Sequence, residues 1–405
     1  MPAVYPFTPI QYAGGRGDVS KQVAPPYDVL DAAAKQALLD RDGSNIVGID
    51  LPHVPAKELG PPEAYQNAAD QLRGMLSEGV LTKRDAPALF AYRQSFDFMG
   101  ESYQRCGMAA TVETMPFGTR DGGGVLPHEQ TFSGPKEDRI ALMRATECQM
   151  SPIFGLHPDE DGQATGLVRE VMDQREPDAT ATTDDGVTHE LWTIDDADTI
   201  DRYQHALSGE DIFIADGHHR YNTGLNYLAE LEAQGTVPDD HPARRCMIVL
   251  VSMSDPGLAI GPTHRVLGGM QNYSIDAFQD ACAGVLDIRP CDNDPANIEH
   301  EMETLARSLA EDANVFGIID RDTGLCFVAT TAADDPLEQR FPDKPRAWRK
   351  LDVALVQHLI VEEVCQPELN NGEPVQWAFP HAINEVMDIF KGAETGAGGG
   401  GGFAQ

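Results

Sequence analysis

The sequence predicts a mixed α+β protein in which mainly antiparallel sheets are flanked by helices. Two strand-like runs, 88–98 and 103–113, are joined by a glycine-containing turn, which is the pattern of a β-hairpin. A second hairpin is expected over 315–330, around the turn DRDTG. Segments such as 62–79, with apolar residues at helical spacing, stand between the strand-like runs. This order of elements favours the α+β class.

The first half of the chain contains three predicted helices beside the hairpin. The helix over 62–79 begins near Pro62 and ends at Gly79, and both residue types are common at those positions. Two further helices are expected over 31–41 and 135–146.

The second half alternates strands with helices. A strand over 211–215 runs directly into a helix-forming segment. We expect a further strand over 246–253, a short return strand over 258–262 and a last amphipathic helix over 349–364.

No linker divides the chain. We therefore expect residues 1–390 to form the folded region, with two intertwined α+β subdomains as one way of organising it. Residues 391–405 are predicted to be a flexible Gly-rich tail. A G-x-G-x-x-G pattern in this tail has no strand before it and no helix after it, so no dinucleotide site is predicted.

Composition excludes several classes of partner. The chain has 65 Asp and Glu against 30 Lys and Arg, a formal net charge of −35, so a nucleic-acid partner is not expected. No stretch approaches the ~18 to 20 apolar residues that span a bilayer, so no membrane partner is expected either. The seven cysteines are scattered and never spaced C-x-x-C, which favours free thiols in a cytoplasmic protein.

The strongest candidate site is the pentad Asp216-Gly217-His218-His219-Arg220, at the junction of an apolar strand and a helix. Glycine allows close backbone approach, and a helix N-terminus offers N–H groups and a partial positive charge. The histidines and the arginine make the pentad a candidate phosphate-binding site, and its aspartate could orient a histidine or bind a cation. The alternative is structural: an aspartate N-cap followed by a salt-bridged first helical turn.

Three further clusters supply candidates: a Gly-rich loop and helix start at 126–139, a strand exit at 262–265 and a rigid Pro–Pro loop at 23–29. Charged helix starts, polar strand exits and Pro–Pro turns are also ordinary surface features, so each cluster has a structural interpretation. The candidate phosphate-binding residues are His128, Lys136, Arg139 and Arg265, and the candidate catalytic residues are Asp28, Glu129 and His264.

No ligand spacing indicates zinc, and no zinc is expected. Magnesium that arrives with a nucleotide needs only one or two carboxylates from the protein. The candidates for that role are Asp216 and Glu129.

Five motifs stand in order along the chain: VAPPYDV, VLPHEQTFSGPKEDRIALMRAT, SPIFGL, IADGHHRYNTGL and DPGLAIGPTHRVL. They resemble the uncharacterised bacterial and archaeal proteins grouped as domain of unknown function 1015 (DUF1015), over most of residues 3–390. Genes of that family often sit beside serine-biosynthesis genes, so the resemblance implies an association with serine metabolism, but no mechanism. They also continue into a C-terminal segment rich in Lys, Ser, Thr and aromatic residues, which the resemblance implies is missing here.

The pentad is also similar to the D-G-H-T-R element of ParB/sulfiredoxin-like proteins, including the free serine kinases. The resemblance implies a ParB-like element around 211–233 that holds nucleotide phosphates, with ADP or ATP and magnesium as cofactor. Carried over by position, the phosphate would be held by Asp216, Gly217, His218 and Arg220. His219 takes the place of the threonine. Those kinases use an acidic general base early in the chain, and Asp28 is the candidate by analogy.

Together these observations favour an enzyme that handles phosphate on a small metabolite, a phosphotransferase that uses a nucleotide and acts on serine or a similar compound. Its cationic candidates would hold phosphate oxygens while Asp28 or His264 deprotonates the acceptor hydroxyl. A phosphoserine-type phosphatase differs only in using water as the acceptor. A nucleotide- or metabolite-sensing protein without turnover would use the same phosphate cradle as a switch.

Overall fold

Residue contacts divide the chain into two units, 1–260 and 261–405. In this computed structural model the side chains of residues 133–136 are not described. The residues that the structure describes are 3–13, 17–56, 58–98, 100–127, 133–259, 261, 263–310, 313–380 and 382–392.

The first unit contains twelve of the strands and seven of the α-helices in the described residues. The strands are β1 (Val4–Tyr5), β2 (Ile10–Tyr12), β3 (Gly17–Asp18), β4 (Leu81–Lys83), β5 (Leu89–Phe98), β6 (Glu101–Glu113), β7 (Val125–Leu126), β8 (Ile153–His157), β9 (Ala179–Thr182), β10 (Thr188–Ile194), β11 (Ile212–Asp216) and β12 (Arg245–Ser252). The helices are α1 (Ala32–Arg41), α2 (Val47–Asp50), α3 (Pro62–Ser77), α4 (Ser133–Thr146), α5 (Gln163–Gln174), α6 (Ala197–Ala206) and α7 (His218–Gln234).

A ten-stranded mixed sheet forms the centre of this unit, in the order β3-β9-β10-β5-β6-β12-β8-β11-β7 with β1 beside β6. Neighbouring strands are antiparallel except in the pairs β12–β8, β11–β7 and β3–β9. In β12 the alternate residues Cys246, Ile248 and Leu250 are buried, which is the period of a strand with one face on a core. The predicted α+β class with mainly antiparallel pairing is confirmed.

Helices cover the buried face of this sheet. Leu167 of α5, Tyr203 of α6 and Tyr221 of α7 lie in the same core as the sheet residues. Helix α4 packs on both α3 and α7. The start of α7 is therefore fixed by the sheet on one side and by α4 on the other.

The second unit has a smaller three-stranded antiparallel sheet in the order β14-β16-β15 and a ribbon of β13 with β17. Its helical elements include a π-helix, Leu355–Leu369. The strands are β13 (Val266–Gly268), β14 (Leu286–Pro290), β15 (Val315–Ile319), β16 (Cys326–Thr331) and β17 (Gln376–Ala378), and the α-helices are α8 (Ile275–Ala281), α9 (Ile298–Ala306), α10 (Arg346–Arg349), α11 (Asp352–Ala354) and α12 (Ile383–Phe390).

The predicted last helix differs from the observed one. The α-helical pattern assigned to 349–364 corresponds to the short α11 and then to the π-helix, whose hydrogen bonds join residues five apart. The buried residues include a set five apart, Leu355, Ile360 and Cys365, together with Leu359 and Val364 of the expected apolar face. Leu351, which a 3.6-residue period places on the same face, is 47% exposed.

The return strand predicted over 258–262 is wrong where the structure describes these residues, because 258, 259 and 261 are not in a strand. Residues 260 and 262 are not among the described residues. Asp255 accepts a hydrogen bond from the Gly257 N–H at 2.9 Å. That glycine packs so closely on the backbone of β6 that a Cβ would lie 2.0 Å from the Gln104 carbonyl oxygen. The turn is therefore held against β6 instead of continuing into a paired strand.

All seven cysteines are free thiols. Within the described ranges, no helix combines the length and the apolar character that crossing a bilayer requires. The tail from residue 393 onward lies outside the described residues.

Candidate functional site

The pentad lies where β11 ends and α7 begins. Asp216 is the last residue of β11, and Gly217 is the N-cap of α7 with φ +96°, in the left-handed region that favours glycine. A Cβ on Gly217 would lie 3.0 to 3.1 Å from three guanidinium atoms of Arg220. Glycine is therefore needed both for the backbone conformation and for the close approach of Arg220.

Two groups hold the Arg220 guanidinium. Nη2 forms an ion pair with the Asp216 carboxylate one helical turn earlier, and Nη1 donates to the Pro152 carbonyl oxygen. The Asp216 side chain is 69% exposed and that of Arg220 only 19%. The salt-bridged first turn weighed for this pentad is thus present, although the N-cap is the glycine and not the aspartate.

The two histidines of the pentad occupy different environments. His218 is buried at 1% exposure, whereas His219 is half-buried. Both backbone carbonyls accept side-chain hydrogen bonds one turn along α7, from Asn222 at 3.1 Å and from Thr223 at 2.8 Å. Direct contact between the His218 imidazole and a solvent-borne ligand would require the buried ring to move.

Arg139 lies in the middle of α4, in a buried ionic network. Its Nε donates to Asp138 Oδ2 at 2.7 Å, and its Nη1 donates to the Asp50 carbonyl oxygen at 2.7 Å and to Asp50 Oδ1 at 3.1 Å. The guanidinium carbon lies 3.9 Å from the centre of the Tyr27 ring, a cation–π contact. Arg139 is 7% exposed, so its charge is neutralised inside the protein by two acids.

Asp50, at the end of α2, connects Arg139 to a serine. Ser151 Oγ donates to Asp50 Oδ2 at 2.8 Å, so each carboxylate oxygen of Asp50 receives a hydrogen bond. Burial raises the pKa of the Asp50 carboxyl above its ordinary value, and the Arg139 charge and the Ser151 hydrogen bond act in the opposite direction.

Asp138 is also held by a tyrosine. Tyr65 donates its hydroxyl to Asp138 Oδ1 at 2.8 Å and accepts the Gly60 N–H at 2.8 Å. Burial raises the pKa of Tyr65 to about 12. The acid partners of Arg139 are therefore fixed in place by hydrogen bonds of their own.

Tyr27 brings the Pro–Pro loop to the same place. The pKa of Tyr27 is raised to about 12, mainly by burial; the Asp28 charge adds to the rise, and the Arg139 and Arg220 charges oppose it. Both arginines thus act on one phenol, and half-buried Asp28 follows it directly in the chain. The structure brings three separately predicted residues, Asp28, Arg139 and Arg220, into one neighbourhood.

These residues line one pocket. Its polar side chains include Tyr27, Asp50, Arg139, Ser151 and Arg220, and the larger part of its surface is apolar, from Leu142, Met143, Cys148, Met150 and Ile153. Its empty volume, counted out to the open mouth, is about 410 Å³, and the part that the centre of a water molecule can reach is about 30 Å³. A water needs roughly 10–15 Å³ of such space, so the pocket takes about two waters or one small polar group. A whole nucleotide does not fit in this space.

A larger cleft of about 1990 Å³, again counted to its open mouth, lies beside β9 and β10. Its two arginines have acid partners, Arg84 with Asp195 at 3.3 Å and Arg175 with Asp178 at 3.0 Å. None of the sequence-predicted site residues lines it.

The other predicted residues are either outside the described part of the chain or in the second unit. His128 and Glu129 are outside the described residues, and so is the side chain of Lys136. His264 and Arg265 belong to the second unit, where the His264 N–H donates to the Pro380 carbonyl oxygen at 2.9 Å and the Arg265 guanidinium lies over the Phe379 ring. The described part of the chain holds no group of three or more His, Cys, Asp or Glu side chains arranged to bind a metal ion.

Sequence analysis missed Asp50, Ser151 and the role of Tyr27. Tyr27 and Ser151 lie inside two of the quoted motifs, VAPPYDV and SPIFGL, which were the available signal. Asp50 follows an apolar run and precedes Leu51, and an acid set among apolar residues was the signal for a buried carboxylate.

Residues 4–354 match the family model described as protein of unknown function (DUF1015). No curated protein matches the chain, and no solved structure matches it. Because the matched segment covers most of the 405 residues, the chain belongs to the DUF1015 family of proteins of unknown function.

Proposed function

We propose that the protein is an enzyme that handles phosphate on a small metabolite, a phosphotransferase that uses a nucleotide and acts on serine or a similar amino-acid-like compound. One observation carries the proposal: Arg220 stands in the first turn of α7, lines a small pocket and has an exposed counter-ion. A phosphate oxygen that enters the pocket finds a guanidinium that can donate charge-assisted hydrogen bonds.

Arg220 and Arg139 have different roles in this proposal. Removing Arg139 from its buried acids would leave carboxylates without a counter-charge, which is costly. Arg220 shares its charge with Asp216, whose side chain is 69% exposed and regains water when released. A phosphate can therefore replace Asp216 on Arg220, while Arg139 holds the pocket wall.

The released Asp216 carboxylate would then be available to a magnesium ion carried by the nucleotide, since such ions need only one or two protein carboxylates. Asp28, half-buried beside Tyr27, is the proposed general base for the acceptor hydroxyl. The pocket admits only a small group, so the rest of the nucleotide would lie outside it. The proposal assigns no step to Glu129 or His264.

The test is ligand binding by calorimetry and thermal shift, with ADP, ATP, serine and phosphoserine, each with and without magnesium. Arg220→Ala should weaken phosphate-ligand binding by about ten- to a hundredfold, the equivalent of roughly 1.5–3 kcal/mol for hydrogen bonds to a charged group. Arg144→Ala is the matched control, because Arg144 donates to Glu230 of α7 at 2.8 Å and does not line the pocket. Equal affinity in wild type and Arg220→Ala would refute the phosphate site.

Turnover separates the enzyme from a sensor. Asp28→Asn should retain ligand affinity and lose phosphate transfer if Asp28 is the base. Transfer to serine identifies a phosphotransferase, and release of inorganic phosphate from phosphoserine identifies a phosphatase. Binding without either reaction in wild type would leave the sensing role.

A further inference from the structure

Ser151, Asp50 and Arg139 form a linear series of hydrogen bonds along the wall of the pocket. Ser151 Oγ lies 2.8 Å from Asp50 Oδ2, and Arg139 Nη1 lies 3.1 Å from Asp50 Oδ1. Arg139 is fixed in turn by Asp138, at 2.7 Å from its Nε. This order of hydroxyl, carboxylate and orienting group is the arrangement of an activated nucleophile with its base.

The environment of each group suits that role. Asp50 is 9% exposed, and its pKa is raised mainly by burial, which makes it a stronger base than an exposed aspartate. Ser151 is half-buried and lines the pocket, so a ligand can reach its hydroxyl. Arg220 donates to the carbonyl oxygen of Pro152, the next residue, and thus lies beside the serine.

We propose that Ser151 accepts a phosphoryl group and passes it on, with Asp50 as its general base. This rests on the proposed function and deepens it, because transfer then takes two steps through a phosphoserine enzyme. The class of donor is a nucleoside triphosphate or a phosphate monoester.

In the first step Ser151 Oγ attacks the phosphorus, the Oγ–P bond forms and the bond from phosphorus to the leaving oxygen breaks. Asp50 takes the hydroxyl proton. The leaving group departs as the nucleoside diphosphate, or as a free alcohol whose leaving oxygen takes a proton from the solvent. In the second step an acceptor hydroxyl, or water, attacks the same phosphorus and gives up its proton to Asp28. The Oγ–P bond breaks, and Ser151 regains its proton from Asp50.

A purely structural role for Ser151 predicts a different result. The serine would then only satisfy a buried carboxylate oxygen, and its removal would lower stability without affecting any covalent intermediate. The matched control is Ser44→Ala, because Ser44 Oγ likewise donates to an aspartate, Asp42, at 2.7 Å outside the pocket.

The experiment uses the full chain incubated with ATP and magnesium, or with phosphoserine, and quenched in acid. Phosphoserine survives acid, whereas an acyl phosphate on an aspartate does not. Peptide mass mapping should find one phosphoryl group on Ser151 in wild type and Ser44→Ala, and none in Ser151→Ala or Asp50→Asn. Ser151→Thr, which keeps a hydroxyl, should restore part of the labelling and guards against loss of folding in the alanine variant.

The outcomes separate the two proposals. If wild type transfers phosphate while Ser151 stays unlabelled and Ser151→Ala turns over at the wild-type rate, the phosphoserine step is wrong and the proposed function stands. If no phosphate ligand binds wild type in the Arg220-dependent assay, both fail. Labelling of Ser151 that persists in Asp50→Asn would overturn the assignment of Asp50 as its base.

Discussion

Gly217 offers the sharpest test of how the candidate site is built. Gly217→Ala places a Cβ 3.0 to 3.1 Å from the Arg220 guanidinium, at a residue whose φ is +96°. The matched control is Gly162→Ala: Gly162 is the N-cap of α5 in the same unit, with φ +67° and no atom within 4 Å of its Cβ position. The control carries the backbone cost alone.

The expected magnitudes follow from those two geometries. A residue with a Cβ in the left-handed region lowers stability by roughly 1–2 kcal/mol. The φ of Gly162, +67°, is closer to the preferred left-handed value near +57° than the φ of Gly217, +96°. Gly162→Ala should therefore lose about 1 kcal/mol. Gly217→Ala should lose about 2–4 kcal/mol, because displacement of the guanidinium also weakens a charged hydrogen bond to the Pro152 carbonyl oxygen and a partly exposed ion pair.

Urea denaturation measures both variants on the same transition, since both glycines lie in residues 1–260. In thermal melts, each kcal/mol corresponds to roughly 2–4 °C for a unit of this size. If Gly217→Ala lowers the free energy of unfolding no more than Gly162→Ala does, the Arg220 guanidinium can move away without loss of stability. The close approach of Gly217 would then not position Arg220.

Three further predictions concern the first unit. Arg139→Met should lower the free energy of unfolding by about 3–5 kcal/mol, because two buried acids lose their counter-charge. Adding Asp50→Asn to this variant should recover part of the lost stability. A loss below about 1 kcal/mol in Arg139→Met would contradict the buried network. The folded state keeps the Tyr65 proton up to a pKa of about 12 against 10.0 in the unfolded chain, so stability should fall as pH rises through that window. Tyr65→Phe should make the dependence of stability on pH less steep, as measured by urea denaturation at several pH values. An unchanged dependence would contradict the raised pKa of Tyr65. Gly257→Ala should lower the free energy of unfolding by about 1–3 kcal/mol, because its Cβ would lie 2.0 Å from the Gln104 backbone. The control is Gly166→Ala in α5, where no atom lies within 4 Å of the Cβ position, so its effect should be neutral or stabilising. Similar denaturation midpoints for the two variants would refute this prediction.

The fold was predictable wherever local patterns decide structure. The long hairpin and α7 follow from turn residues and apolar periodicity within short windows. The hairpin was found close to its expected bounds, and α7 follows the strand before it, as expected. The last helix was assigned the wrong period because apolar residues four apart and five apart coexist in it. The burial of Ile360 and Cys365 with Leu355 is decided by packing in the second unit, which the sequence alone does not display.

The candidate site was predictable only in part. The Asp216–Arg220 pair is local, so the spacing of four residues on a helix was sufficient to suggest it. Asp50 and Arg139 are 89 residues apart, and Asp50 and Ser151 are 101 apart, so nothing in either neighbourhood indicates the other. The apolar residues around Asp50 indicate a buried carboxylate, but they do not indicate its partners.

The central position of β12 has a consequence for how the protein is made. This strand joins β6 to β8, yet it is the last strand of the first unit to leave the ribosome, at Arg245–Ser252. Until it emerges, the β5–β6 side and the β8–β11 side of the sheet have no strand between them, and their exposed edges must be kept from pairing wrongly. We expect nascent chains that end before residue 245 to stay sensitive to protease and bound by chaperones. Chains long enough to expose residue 252 outside the exit tunnel should become resistant in a single step.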